Sequence, residues 1–139
     1  MKHGLFISIA VGLLSLGVTG DIRVAECLPP PAGLVSWWPG DGNAGDIAGS
    51  NPGMPMDGAT FATGWIDQAF QLDKTNDFVE IPDSGDLDGS NFPDLTIEAW
   101  IRPDSVLGSR GILTKYNTDI AFISYYLSLN SGRLQFFVG

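Results

Sequence analysis

The sequence predicts an all-β fold, a sandwich of two packed antiparallel sheets, and three observations carry that prediction. From Gly33 onward, short apolar segments alternate with clusters of Gly, Pro, Asn and Asp. No stretch sustains a 3.6-residue apolar period over ten residues, so helix is a minor component. Hairpin turn signals separate several of the segments, and many short strands bury their apolar faces most readily when one sheet stacks on another. The four tryptophans, at 37, 38, 65 and 100, follow no fixed period, which disfavours a solenoid or propeller.

The elements follow in order. Residues 1–20 read as a secretory signal peptide, with Lys2 and His3 ahead of the apolar run from Leu5 to Val18 and the small residues Thr19 and Gly20 behind it. As a helix that run rises roughly 21 Å, short of the ~30 Å hydrocarbon core, so no membrane span is expected in the mature chain. Residues 21–32 form a linker stiffened by Pro29, Pro30 and Pro31, because proline fixes φ and pushes the preceding residue out of the helical region. Leu34–Trp38 is the first predicted strand. Gln68–Leu72 and Phe78–Ile81 are the next two, joined across residues 73–77 as a hairpin. Leu95–Ile101 shows the clearest two-residue alternation, with Leu95, Ile97, Ala99 and Ile101 on one face and Thr96, Glu98 and Trp100 on the other. Gly111–Lys115 is a further strand. Tyr125–Leu129 and Arg133–Val138 form a hairpin around Asn130-Ser131-Gly132, where Asn and Gly can supply positive φ. Arg133 to Gly139 stops within a strand. An uncovered apolar edge invites aggregation, so the domain is expected to continue and cover Phe136, Phe137 and Val138.

Composition excludes several functions. With 44% apolar and 17% charged residues the chain can build a packed core. Its net charge of −9, all of which remains when residues 1–26 are set aside, repels phosphate backbones and argues against a nucleic-acid partner. His3 is the sole histidine, and removal of the leader leaves no Ser-His-Asp, Cys-His or His-metal site. Cys27 stands alone and makes no internal disulfide.

Five ordered blocks then carry a family resemblance. Gly33-Leu34-Val35-Ser36-Trp37-Trp38-Pro39-Gly40-Asp41-Gly42-Asn43, Asp57–Phe61, Gly64–Asp73, Asp77–Pro82 and Leu95–Pro103 together resemble the laminin-G-like modules of secreted bacterial proteins. The resemblance runs from Gly33 to the end of the chain, over residues 33–139. It implies a concanavalin A-like jelly-roll β-sandwich, the lectin and glucanase superfamily fold, here incomplete because roughly its final third is missing. Lys74 departs from the glycine that the family often has after Asp73, and Pro52 from a common histidine.

Residues 27–139 hold twelve aspartates and two glutamates, and Asp41, Asp46, Asp73 and Asp77 lie in Gly/Asn-rich loops. Short carboxylates and backbone carbonyls on turns can provide the six to eight oxygens, at about 2.3–2.6 Å, that calcium takes. The resemblance favours bound Ca2+. Equally, Asp and Asn form turns by capping their own backbone, and no Asp-x-Asp-x-Asp-Gly loop fixes a ligand set. Asp41 and Asp73 are the leading metal candidates. A glycosidase needs paired carboxylates, but Glu80 and Glu98 stand on separate strands with no Glu-x-Asp-x-Glu motif, so no catalytic residue is expected. Exposed aromatic rings can stack on sugars, and Trp37, Trp38, Trp65, Tyr116, Tyr125 and Tyr126 are candidates, with Trp100 read as structural. The sequence therefore points to a non-catalytic, secreted or cell-surface binding module for carbohydrate or an extracellular protein. The alternatives are a structural spacer in a large adhesin and a glycoside hydrolase on the same fold.

Overall fold

Nine strands and a single 3-10 turn, Gly85–Leu87, make up the regular structure of the described residues in the computed structural model, which describes residues 2–4, 30–73, 76–88, 94–117 and 122–139. The strands are β1 (Lys2–Gly4), β2 (Met54–Met56), β3 (Thr60–Thr63), β4 (Gln68–Gln71), β5 (Phe78–Glu80), β6 (Trp100–Arg102), β7 (Ser109–Asn117), β8 (Phe122–Asn130) and β9 (Arg133–Val138). They pair as three antiparallel sheets, in the orders β3-β4-β1-β6, β2-β5 and β7-β8-β9. The protein is all-β, in an arrangement consistent with a sandwich. The apolar run of residues 5–18, the linker up to residue 29 with Cys27, and Lys74 lie outside the described residues. No helix among the described residues is long and apolar enough to cross a membrane.

The β2–β3 and β4–β5 connections each carry the chain from one sheet to another. β2 and β3 are separated by a turn in which Asp57 takes φ 54° and Gly58 φ 109°, closed by the Ala59 N–H donating to the Met56 carbonyl at 3.0 Å. β2 then pairs with β5, while β3 pairs with β4. The predicted hairpin of residues 68–72 and 78–81 is thereby corrected. Both strands exist, but β4 lies between β3 and β1, and β5 belongs to a different sheet. A five-residue loop fits a hairpin or a corner between sheets, and local sequence does not distinguish the two.

Register explains the core. Phe61 faces Phe70 across β3 and β4, so their side chains share a face, and the rings meet at 5.4 Å and 42°. Phe70 and Ala69 are both buried. Full burial of one phenylalanine contributes about 1.5–3 kcal/mol. Ile101 continues the Phe61–Phe70 row through β1.

Residues 34–40 stay outside every ladder, which corrects the predicted first strand. Trp37 nevertheless donates its N–H to the Asp46 carboxylate and accepts the Ile47 N–H at 2.9 Å, so the segment is tied to the loop that follows. The predicted strand 95–101 shortens to residues 100–102, although Leu95, Ile97 and Ile101 are half-buried while Thr96, Glu98 and Trp100 are exposed. Alternation is present there outside any ladder among the described residues.

The β7-β8-β9 sheet matches expectation most closely. Ser131 (φ 49°) and Gly132 (φ 77°) form a two-residue turn with positive φ at both centres, the type I′ geometry that suits strand twist. Ser131, not Asn130, supplies the first positive φ. Tyr125 and Leu127 are buried on β8, and the Tyr125 hydroxyl donates to the Leu87 carbonyl at 2.8 Å. Burial, with the nearby Asp88 charge, raises the pKa of that phenol. Lys115 pairs with Asp83 and holds the Asp83 carboxyl below its usual range, a second tie to the segment after β5.

Candidate functional site

Residues 34–53 form an irregular layer against β4 and β5. Gly40 (φ 73°) lies so close to β4 that a Cβ there would stand 2.9 Å from the Phe70 nitrogen, and a Cβ at Gly53 would stand 2.7 Å from Val79. Asp46 organises this layer. Its Oδ1 accepts the N–H groups of Trp37 at 2.9 Å, Ala48 at 3.0 Å and Gly49 at 2.8 Å, and its Oδ2 accepts that of Asn51 at 3.1 Å. Partial burial raises its pKa, but the Trp37 and Gly49 amides, the Ser36 hydroxyl and the Asn51 amide outweigh this and hold it at about 2. Buried Asn51 completes the arrangement by donating Nδ2 to the Ser36 hydroxyl at 2.9 Å, while its carbonyl accepts the Trp38 indole N–H at 2.7 Å.

The other three aspartates occupy two loops. Asp41 is exposed, and its carbonyl accepts the Asn43 amide at 3.2 Å. Asn43 Oδ1 in turn accepts the Gly45 N–H at 2.8 Å, an Asx turn of the kind expected of such residues. Between β4 and β5, Asp77 Oδ2 accepts the Asp73 N–H at 3.1 Å. Calcium takes six to eight oxygens. Among the described residues no three His, Cys, Asp or Glu side chains form a group that could hold a metal ion, and both Asp46 oxygens are engaged by amides.

Glu80 stands exposed on β5 opposite Met54, and Glu98 stands exposed ahead of β6. They belong to different chain segments, and β5 and β6 to different sheets.

The aromatic residues divide differently from the sequence reading. Trp37 and Trp38 are half-buried in the irregular layer, Tyr125 is buried, and Tyr126 stacks on Phe137 with ring centroids 5.5 Å apart. Tyr116 is exposed on β7. Trp65 is 79% exposed in the turn between β3 and β4, which closes through the Gly64 N–H and the Asp67 carbonyl at 2.9 Å. Trp100, expected to be structural, is 59% exposed. The sheet register shows its surroundings. Thr60 faces Gln71, and Gln71 and Arg102 both face Lys2, so Thr60, Gln71, Arg102 and, by two-residue alternation, Trp100 share one face. Phe61, Phe70 and Ile101 occupy the other face.

That face joins one flat exposed ring to a hydroxyl, an amide and a guanidinium, all capable of hydrogen bonding to polyols. The signal for Trp100 was present in the sequence: alternation set it with Thr96 and Glu98, opposite the apolar row.

Compared with family models, curated proteins and solved structures, the chain shows no match.

Proposed function

We propose that this chain is a non-catalytic carbohydrate-binding module of a secreted or cell-surface protein, built on a laminin-G-like jelly roll. The exposed Trp100 on the Thr60–Gln71–Arg102 face carries the proposal. A sugar ring presents C–H groups on one side and hydroxyls around its rim. A tryptophan face takes the first while neighbouring polar side chains take the second, and exclusion of water from between the two surfaces drives the association. Arg102 supplies a planar donor fork for sugar hydroxyls, while the net charge of −9 favours a neutral glycan over an anionic one. The face includes β1, which joins β4 to β6, so the proposal rests on a chain that keeps residues 2–4.

A glycan array probed with the folded chain, in calcium and in EDTA, tests this reading. Binding to a defined set of glycans, strongest among neutral ones, is the expected result, and identical sets in both arms would place calcium outside recognition. No bound glycan in either arm would remove the carbohydrate proposal.

A further inference from the structure

Trp65 is the most exposed large apolar side chain among the described residues, at 79%, and it stands at the tip of the β3–β4 hairpin. Backbone alone closes the turn beneath it: the Gly64 N–H donates to the Asp67 carbonyl at 2.9 Å, and Asp67 takes φ 46°. Neither feature uses the indole. A ring left in water forgoes the stabilisation that burial gives an aromatic side chain, so its place at a tip is informative in a way that a scattered exposed leucine is not.

The sheet register sets Trp65 in relation to Trp100. Trp100 on β6 faces Gly4 on β1, and the pairing of His3 with Phe70 puts Gly4 level with Ala69 on β4, which faces Ala62 on β3. From that row β3 runs on through Thr63 to Gly64, and β4 returns from Asp67 through Gln68. The hairpin tip therefore lies at the Trp100 end of the sheet, on the side of this row away from Arg102, Gln71 and Thr60. Two to three strand spacings across the sheet and about three residues along it separate the two tryptophans, roughly 15 Å between their backbones.

We infer that Trp65 is a second stacking platform for the glycan taken up at Trp100, so that the chain recognises an extended neutral oligosaccharide and not a single terminal sugar. The inference rests on the Trp100 face proposed above. One sugar ring covers one indole, and a span of roughly 15 Å lies beyond the reach of a single ring, so a glycan stacked on Trp100 meets Trp65 only by continuing across β1 and β4. The second contact is made by a ligand already held at the first. It costs little further translational freedom and appears as an affinity gain that grows with glycan length. The closed hairpin turn holds its backbone in place beforehand, which keeps the ordering cost of that second contact low. The net charge of −9 sets uronic or sulfated chains at a disadvantage along the same path.

Isothermal titration of the full chain with cello-, manno- and xylo-oligosaccharides, each from two to six units long, tests the inference, with Trp65→Ala and Trp100→Ala alongside. In at least one series the unmodified chain is expected to bind the hexasaccharide about tenfold more tightly than the disaccharide. Trp65→Ala is expected to keep the disaccharide affinity and the melting temperature but to lose that gain, whereas Trp100→Ala weakens binding at every length. Should Trp65→Ala fail to fold, the length dependence of the unmodified chain decides alone. An affinity independent of length overturns the inference while leaving the Trp100 face in place, and so does a Trp65→Ala variant that keeps the full gain. A Trp100→Ala variant that binds disaccharides as tightly as the unmodified chain strikes the Trp100 face itself and takes the inference with it. Absence of binding in all three series also overturns the inference, with the glycan array deciding the carbohydrate reading separately.

Discussion

Asp46 accepts backbone N–H groups from Trp37, Ala48, Gly49 and Asn51, and Asp46→Ala removes the acceptor from all four. Hydrogen bonds to an ionised group are each worth about 1.5–3 kcal/mol when buried, but this residue is half-buried and water reaches part of the loop. The expected destabilisation is therefore about 1–2 kcal/mol, read from the urea midpoint. The pH dependence follows from the same geometry. The folded pKa of about 2 lies below the ordinary ~3.9 of an unfolded aspartate, so this contribution is complete above the unfolded value and is lost as pH falls through the folded one. Asp46→Asn is expected to flatten the acid limb of the stability profile between those values. A limb of unchanged steepness would assign the acid sensitivity to other carboxylates. Gly40 is constrained separately: its φ of 73° and the 2.9 Å approach to the Phe70 nitrogen make Gly40→Ala costly by about 2 kcal/mol, measured by thermal melting.

The β8–β9 turn carries its prediction at the level of elements. Type I′ turns prefer Asn-Gly, and Ser131 holds φ 49° without the asparagine that tolerates it best. Ser131→Asn is expected to stabilise by about 0.5–1 kcal/mol, seen as a raised melting temperature. This hairpin was legible in the sequence because strand pattern and turn chemistry agree on one local answer. β4 and β5 are legible as strands but their partners are not: β4 forms a hairpin with β3, a strand the pattern does not mark, and β5 pairs with β2, which lies before that hairpin in the chain. β2 and β3 are three and four residues long, too short for alternation to mark them. Leu34–Trp38 has strand composition, but its donors and acceptors go to the 46–51 loop, a side-chain-centred arrangement that apolar periodicity does not report. β1 falls within the segment read as a cleaved leader. A chain beginning at Asp21 lacks β1 and is expected to keep its β-type circular dichroism spectrum, because a three-residue strand adds few ladder bonds. Loss of that spectrum would make β1 integral and count against residues 1–20 as a leader.

At the scale of the whole molecule, short antiparallel strands whose connections pass repeatedly between sheets build an all-β scaffold with acidic loops. Asp46 and Asn43 organise backbone, as turn-forming residues do, while Trp100 stands on the far side of the four-stranded sheet from the Phe61–Phe70 row. The candidate site was half legible. Aromatic stacking was anticipated as the mode of recognition, but Trp100 was assigned to structure because a tryptophan in an alternating strand is commonly buried, and its exposure depends on how the sheets pack. Isothermal titration of the best array ligand against the unmodified chain and Trp100→Ala is the most direct test. The variant is expected to lose about tenfold in affinity, or ~1.4 kcal/mol, with its melting temperature unchanged, since an exposed ring contributes little to the core. Equal affinities for the two proteins would place recognition elsewhere and contradict the assignment of this face as the binding site.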